Sequence, residues 1–192
     1  MSWSSLSFVA LAALAALAAP ACGTYSHMRP ADNLEAGRAE VSAGLAFNTL
    51  PEVLPVVSAA VGLTDRIELE GQYEVYSALA EVRFGVLTTK ANDFALSLGV
   101  GGGYASLWVD EFVGHGAALA DLALGRRFGE HVEVYLGHKL MWLGGGGYLL
   151  NATRAGVRVS WPWGHVGVEG GATVHHSFLV VGEGTGYIGF HM

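Results

Sequence analysis

From residue 37 to the C-terminus, apolar and polar side chains alternate residue by residue in segment after segment. Period two is the mark of a strand with one apolar face, because successive side chains leave a strand on opposite sides. Residues 67–76 show it most clearly: Ile67, Leu69, Gly71, Tyr73 and Val75 lie on one face, and Glu68, Glu70, Gln72, Glu74 and Tyr76 on the other. Segments 78–86, 94–104, 118–125, 132–142 and 154–161 repeat the pattern, and weaker alternation adds 38–47, 56–63, 165–175 and 183–192. The expected architecture is therefore all-β, a closed antiparallel up-and-down barrel of ten strands. The very tight turn near residues 76–78 leaves a bent single strand, and so an eight-stranded barrel, as the alternative.

Alternation alone also fits a soluble sandwich. Composition helps to separate the two. Only 14% of the 192 residues are charged while 52% are hydrophobic, whereas a soluble domain has about a quarter of its residues charged. Beyond the N-terminus no apolar run reaches the roughly 20 residues of a membrane helix, so a chain of this kind spans a bilayer with strands. The polar faces carry acids, bases and many glycines, which suits an enclosed interior. By parity Glu40, Glu68, Glu70, Glu74, Glu81, Asp121, Glu133 and Glu169 point inward with Arg83, Lys139, Arg154 and Arg158. Such a lumen charge network reads in two ways: a plugged structural interior, which the narrow bore of small barrels favours, or a narrow cation-preferring channel. Aromatic residues gather at the strand ends, Phe47, Tyr104 and Trp142 at one and Phe94, Phe128, Trp161, Trp163 and Phe190 at the other. Two such girdles are expected where rings sit at headgroup depth.

The connections alternate as well. Residues 64–66, 88–93, 127–131 and 162–164 read as tight turns, and 48–55, 105–114, 143–151 and 176–182 as mostly longer loops. Short turns on one rim are the periplasmic turns of an outer-membrane barrel. An even strand number puts both termini on that rim, so both are expected in the periplasm.

The N-terminus carries an apolar stretch, residues 6–21, too short to span and ending in small residues, as in a secretory signal peptide. No Lys or Arg precedes it. The expected organisation is a signal peptide over 1–21, a polar aperiodic spacer over 22–36 and the barrel over 37–192. Cys22 is the single cysteine, which excludes an internal disulfide. Ala19-Pro20-Ala21-Cys22 resembles the lipobox of bacterial lipoproteins, which implies lipidation of Cys22; cleavage by ordinary signal peptidase at the same bond, leaving a plain cysteine, is the alternative.

Over residues 37–192 the chain resembles small bacterial outer-membrane β-barrel proteins, by pattern and not by motif. Its last segment, GTGYIGFHM, resembles the C-terminal signal read by the barrel-assembly machinery, although it ends in Met192 with Phe190 two residues earlier. The resemblance implies outer-membrane lipid and that machinery as partners, with other envelope proteins as further neighbours. His175, Ser177 and Glu183 resemble the Ser-His-Glu set of the outer-membrane lipid A deacylases, with departures at Phe178, in the Glu spacing and in the inward facing of His175 and Ser177. The expected role is a structural, adhesive or complex-forming envelope protein without a wide pore, and not an enzyme.

Other chemistry is disfavoured. A net charge of −7 without a basic cluster excludes nucleic acid as a partner. The glycine runs at 101–103 and 144–147 lack the Lys-Ser/Thr of a phosphate loop and read as close backbone packing. The histidines are scattered in sequence, so no metal site and no cofactor is expected.

Overall fold

A computed structural model describes residues 26, 28–48, 53–75, 77–90, 92–108, 112–144, 147–175 and 180–192, with side chains for all of these except 48, 106–108, 112–114, 175 and 180–181. The expected signal peptide and Cys22 lie outside the described residues. The chain forms ten strands: β1 (Ala39–Asn48), β2 (Val53–Thr64), β3 (Ile67–Glu74), β4 (Ser77–Leu87), β5 (Phe94–Trp108), β6 (Phe112–Phe128), β7 (Val132–Leu143), β8 (Tyr148–Trp161), β9 (Gly164–His175) and β10 (Val180–His191). Each pairs antiparallel with its chain neighbours, and β1 closes on β10 from Glu40↔His191 to Asn48↔Glu183. Closure pairs every strand on both sides and leaves no sheet edge open to another chain. No helix occurs among the described residues.

The alternation converts directly into two faces. Tyr73 is 60% exposed and its neighbour Glu74 1%; the same swing runs through β2 and β4. Outside stand Leu45, Val57, Leu69, Phe84, Leu98, Val100, Leu122, Leu136 and Ile188. Inside are the charges, which inverts the arrangement of a water-soluble domain.

The eight-strand alternative is excluded. β3 and β4 are separate strands, paired up to Glu74↔Ser77, with only residues 75–76 between them. The expected contrast in loop length is also corrected. At the rim where β1 begins and β10 ends, the terminal rim, residues 88–93 form the longest connection of the barrel. At the distal rim, where long loops were expected, β5 and β6 stay paired as far as Trp108↔Phe112, and β2, β8 and β10 begin earlier than alternation implied. A ladder continues while backbone N–H and C=O groups can still find each other, whether or not the side chains alternate. The asymmetry therefore resides in strands that protrude at the distal rim.

The glycine runs are packing devices. A Cβ on Gly101 or Gly103 would run into the β4 carbonyls of Ala80 and Ala78, and one on Gly102 into the β6 carbonyl of Ala117. Inside, Tyr135, Tyr187 and His165 each lie across the glycine directly opposite on the next strand, Gly156, Gly167 and Gly189 respectively. Only a glycine leaves room for a ring laid flat along a narrow barrel wall.

Candidate functional site

All the charges that parity directed inward are buried: Glu40, Glu68, Glu70, Glu74, Glu81, Arg83, Asp121, Glu133, Lys139, Arg154, Arg158 and Glu169. Register brings opposite signs face to face, with Glu68↔Arg83, Asp121↔Lys139 and Glu133↔Arg158 as cross-strand partners. The Arg83 guanidinium lies 3.5 Å from Glu68, 3.8 Å from Glu70, 3.5 Å from Glu81 and 3.7 Å from Asp121. It also donates to Ser97 Oγ at 2.8 Å. Arg158 donates to both Glu40 oxygens, at 3.2 and 2.6 Å. Arg154 and Thr173 both donate to Glu183, and Tyr135 donates to Glu169 at 2.8 Å. Buried carboxylates this closely paired stiffen the wall and have their desolvation offset.

The decisive element lies outside the alternating region. Ser26 and residues 28–31, read from sequence as part of a spacer, are buried inside the barrel as a strap. At its distal end Ser26 N–H donates to Glu74 at 2.8 Å, and its carbonyl accepts from Gln72 at 2.8 Å. Met28 N–H donates to Glu169 at 3.0 Å, while the Met28 side chain packs on Val56 and Tyr187. Arg29 divides its guanidinium between Glu40, at 2.5 Å, and Glu68, at 2.6 and 3.1 Å. The Pro30 carbonyl accepts from Arg83 at 3.0 Å, and Ala31 packs with Ala95 and Ala123. Asp32 then meets Thr89 and Arg127, and Asn33 donates to the carbonyls of Arg66 and Arg83, both at 3.3 Å, at the terminal rim. Gly37, at φ 77°, turns the chain into β1. Beside it Lys90 lies 2.5 Å from Glu35 and donates to it, holding that carboxyl below its usual range; on so exposed a pair the effect on stability is small.

The strap thus runs along the lumen from near Glu74 at the distal rim to the terminal rim. The β4–β8 side of the distal interior is apolar, filled by Leu79, Leu119, Met141, Leu143, Leu150 and Ala152. At the terminal rim a cavity of about 380 Å³ opens between the strap and the wall, bordered by Arg29, Asn33, Arg127, Glu133, Arg158 and His191. Sequence reasoning missed Arg29 because it sits in an aperiodic stretch. The signal was the excess of inward acids, which called for water, protons or further cations.

Glu40, His165 and His191 converge, with ligand atoms 3.2 to 3.7 Å apart. The spacing suits a small metal, but the chemistry does not. Two guanidinium groups already occupy Glu40, and Arg158 lies 3.1 Å from His191 Nε2. Ser42 closes the chain at 3.0 Å from His165 Nε2, so the cluster is satisfied as a hydrogen-bond network. Of the Ser-His-Glu candidates, Ser177 lies outside the described residues, as does the side chain of His175, while the Glu183 carboxylate is held by Arg154 and Thr173.

On the outer wall aromatic residues stand toward both rims. Phe47, Tyr104 and Trp142 are exposed toward the distal rim, and Phe94, Phe128, Trp163 and Phe190 toward the terminal rim, with Trp161 half-buried. Trp161 meets Trp163 edge to face at 5.1 Å, and Trp163 stacks on Phe190 at 6.5 Å. Arg126 lies over Phe94 and Phe128 at 5.1 and 5.3 Å.

Fold and site together define the class: a closed ten-stranded antiparallel barrel, apolar outside and charged inside, with its own N-terminal segment in the bore. No protein-family model matches the chain, and no curated protein does. Among solved structures the chain is similar to OmpTdeltaL8, a loop L8 deletion mutant of OmpT, an outer membrane protein of Vibrio cholerae. The identity is 8%, the match covers 81% of this chain and 98% of that one, and the TM-score is 0.27.

Proposed function

We propose that this protein is an outer-membrane β-barrel with a sealed bore, acting in the envelope as a structural, adhesive or complex-forming component. The observation that carries the reading is the apolar outer wall, bounded by aromatic rings at both rims, around a buried charged interior. In water such a wall would be one continuous exposed hydrophobic patch, far beyond what soluble monomers tolerate; in lipid it is the favoured surface. Every strand but β3, at 8 residues, reaches the roughly 9–11 residues a tilted membrane strand needs. Outer-membrane lipid and the barrel-assembly machinery are the partners this reading requires, with the C-terminus in the periplasm.

The position of Ser26 beside Glu74 supports a distal rather than a periplasmic placement of the N-terminal anchor. Cys22 stands four residues before Ser26, a reach of at most about 14 Å from the distal part of the lumen. That reach supports a lipid on Cys22 at the distal rim, across the barrel from His191. Mass spectrometry of the mature N-terminal peptide tests the lipid, and an unmodified cysteine removes it. The membrane reading is tested by heat-modifiable gel migration: boiled and unboiled samples should run apart, and identical migration would contradict a folded membrane barrel.

A further inference from the structure

We propose that the barrel contains a cation-selective path and that the N-terminal strap is the element closing it. The inference rests on the membrane reading above but goes beyond it, because that reading requires only a sealed barrel.

The wall does not need the strap. The ladder closes through β1 and β10, and among the described residues no backbone-to-backbone hydrogen bond ties residues 26–34 to any strand. Every polar tie between that stretch and the wall involves a side chain, as at Glu74, Glu169, Glu68 and Arg83. The strap can therefore leave without breaking the sheet. What it would vacate is a track along the bore. A single backbone alone occupies a width of roughly 5 Å, and with the buried Met28 and Arg29 side chains withdrawn as well the track is wide enough for a partly hydrated ion. The apolar cluster lies beside this track and occupies the β4–β8 side of the distal interior. At the other end the track opens into the 380 Å³ cavity of the terminal rim.

Charge gives the path its sign. Among the described residues the wall directs nine buried carboxylates inward against four buried Lys and Arg side chains, and the strap carries the buried Arg29. Glu68 and Glu40, then Glu169, then Glu74 face the strap at successive depths. Withdrawing Arg29 unbalances the first two, although Arg158 and Arg83 stay beside them. Successive carboxylates along a narrow bore favour cations over anions.

The test is conductance of purified full-length mature protein in planar bilayers, against two variants: a deletion of residues 23–33, and Arg29→Ala, which keeps the strap but removes its two ion pairs. The full chain should show no discrete openings. The deletion should open steadily, with a reversal potential favouring K⁺ over Cl⁻, and Arg29→Ala should flicker with the same selectivity. Heat-modifiable migration and flotation with liposomes are followed in parallel, so failure to insert counts against the membrane reading itself. If the deletion does not fold, Arg29→Ala decides alone. Silence of an inserted, folded variant, or openings that favour chloride, overturns the proposal.

Discussion

Glu40 shows how much one residue holds together. It joins the strap, through Arg29, to β8, through Arg158, and lies 3.7 and 3.2 Å from His165 and His191. Glu40→Gln should leave two buried guanidinium groups short of a counter-charge, and breaking a buried pair of this kind costs about 3–5 kcal/mol. The midpoint of urea unfolding from lipid vesicles checks this; an unchanged midpoint would mean that the cluster carries little stability. At Gly156 a methyl group would strike the Tyr135 ring, which is fixed by Glu169 and Tyr187. Gly156→Ala should cost about 1–3 kcal/mol by the same assay, as overpacking does. Ser177→Ala bears on the enzymatic alternative. With Glu183 committed to Arg154, lipid A mass spectra from cells expressing the variant and the parent should be identical, and a difference would reopen the deacylase reading. Inward residues were legible because parity on a strand is rigid. Arg29 was not, because its neighbours have no period and its partners, Glu40 and Glu68, lie on strands that only the fold brings near it.

At the level of elements, strand existence was readable while strand ends were not. Alternation requires one outward apolar and one inward polar side, and that contrast fades toward the strand ends. The ladder there continues through backbone pairing, as in β5 and β6 beyond Ala105↔His115. The Glu74↔Ser77 turn was the reverse case, since two residues between alternating runs look the same as a bend until the register is seen. Because the β5–β6 hairpin extends past the neighbouring strands at the distal rim, removing residues 106–113 and rejoining the ends with a two-residue turn should leave heat-modifiable migration intact. Loss of the folded band would show that this hairpin is needed for closure. The aromatic girdles imply a depth: Trp142 and Trp163, 51% and 63% exposed, should be quenched best by lipids brominated near the headgroup, and stronger quenching by bromine at the acyl-chain ends would misplace the belt.

For the whole molecule, hydrophobic burial alone does not account for the fold, because most large apolar side chains face outward. What unites the structure is a closed ladder and a paired charged interior, in which the strap supplies the cation that the wall lacks. The composition held the outline of this: few charges, many glycines and no helix-length apolar run beyond the N-terminus. It did not hold the threading of the N-terminal segment, which depends on a lumen only closure creates. The most direct test of the account is where the folded protein resides. Membranes from expressing cells, washed with alkaline carbonate and then extracted with detergent, should release the protein only into detergent, as a β-rich species whose gel migration changes on boiling. Recovery of a folded, monodisperse protein in aqueous buffer without detergent would contradict the lipid-facing wall, and with it the account.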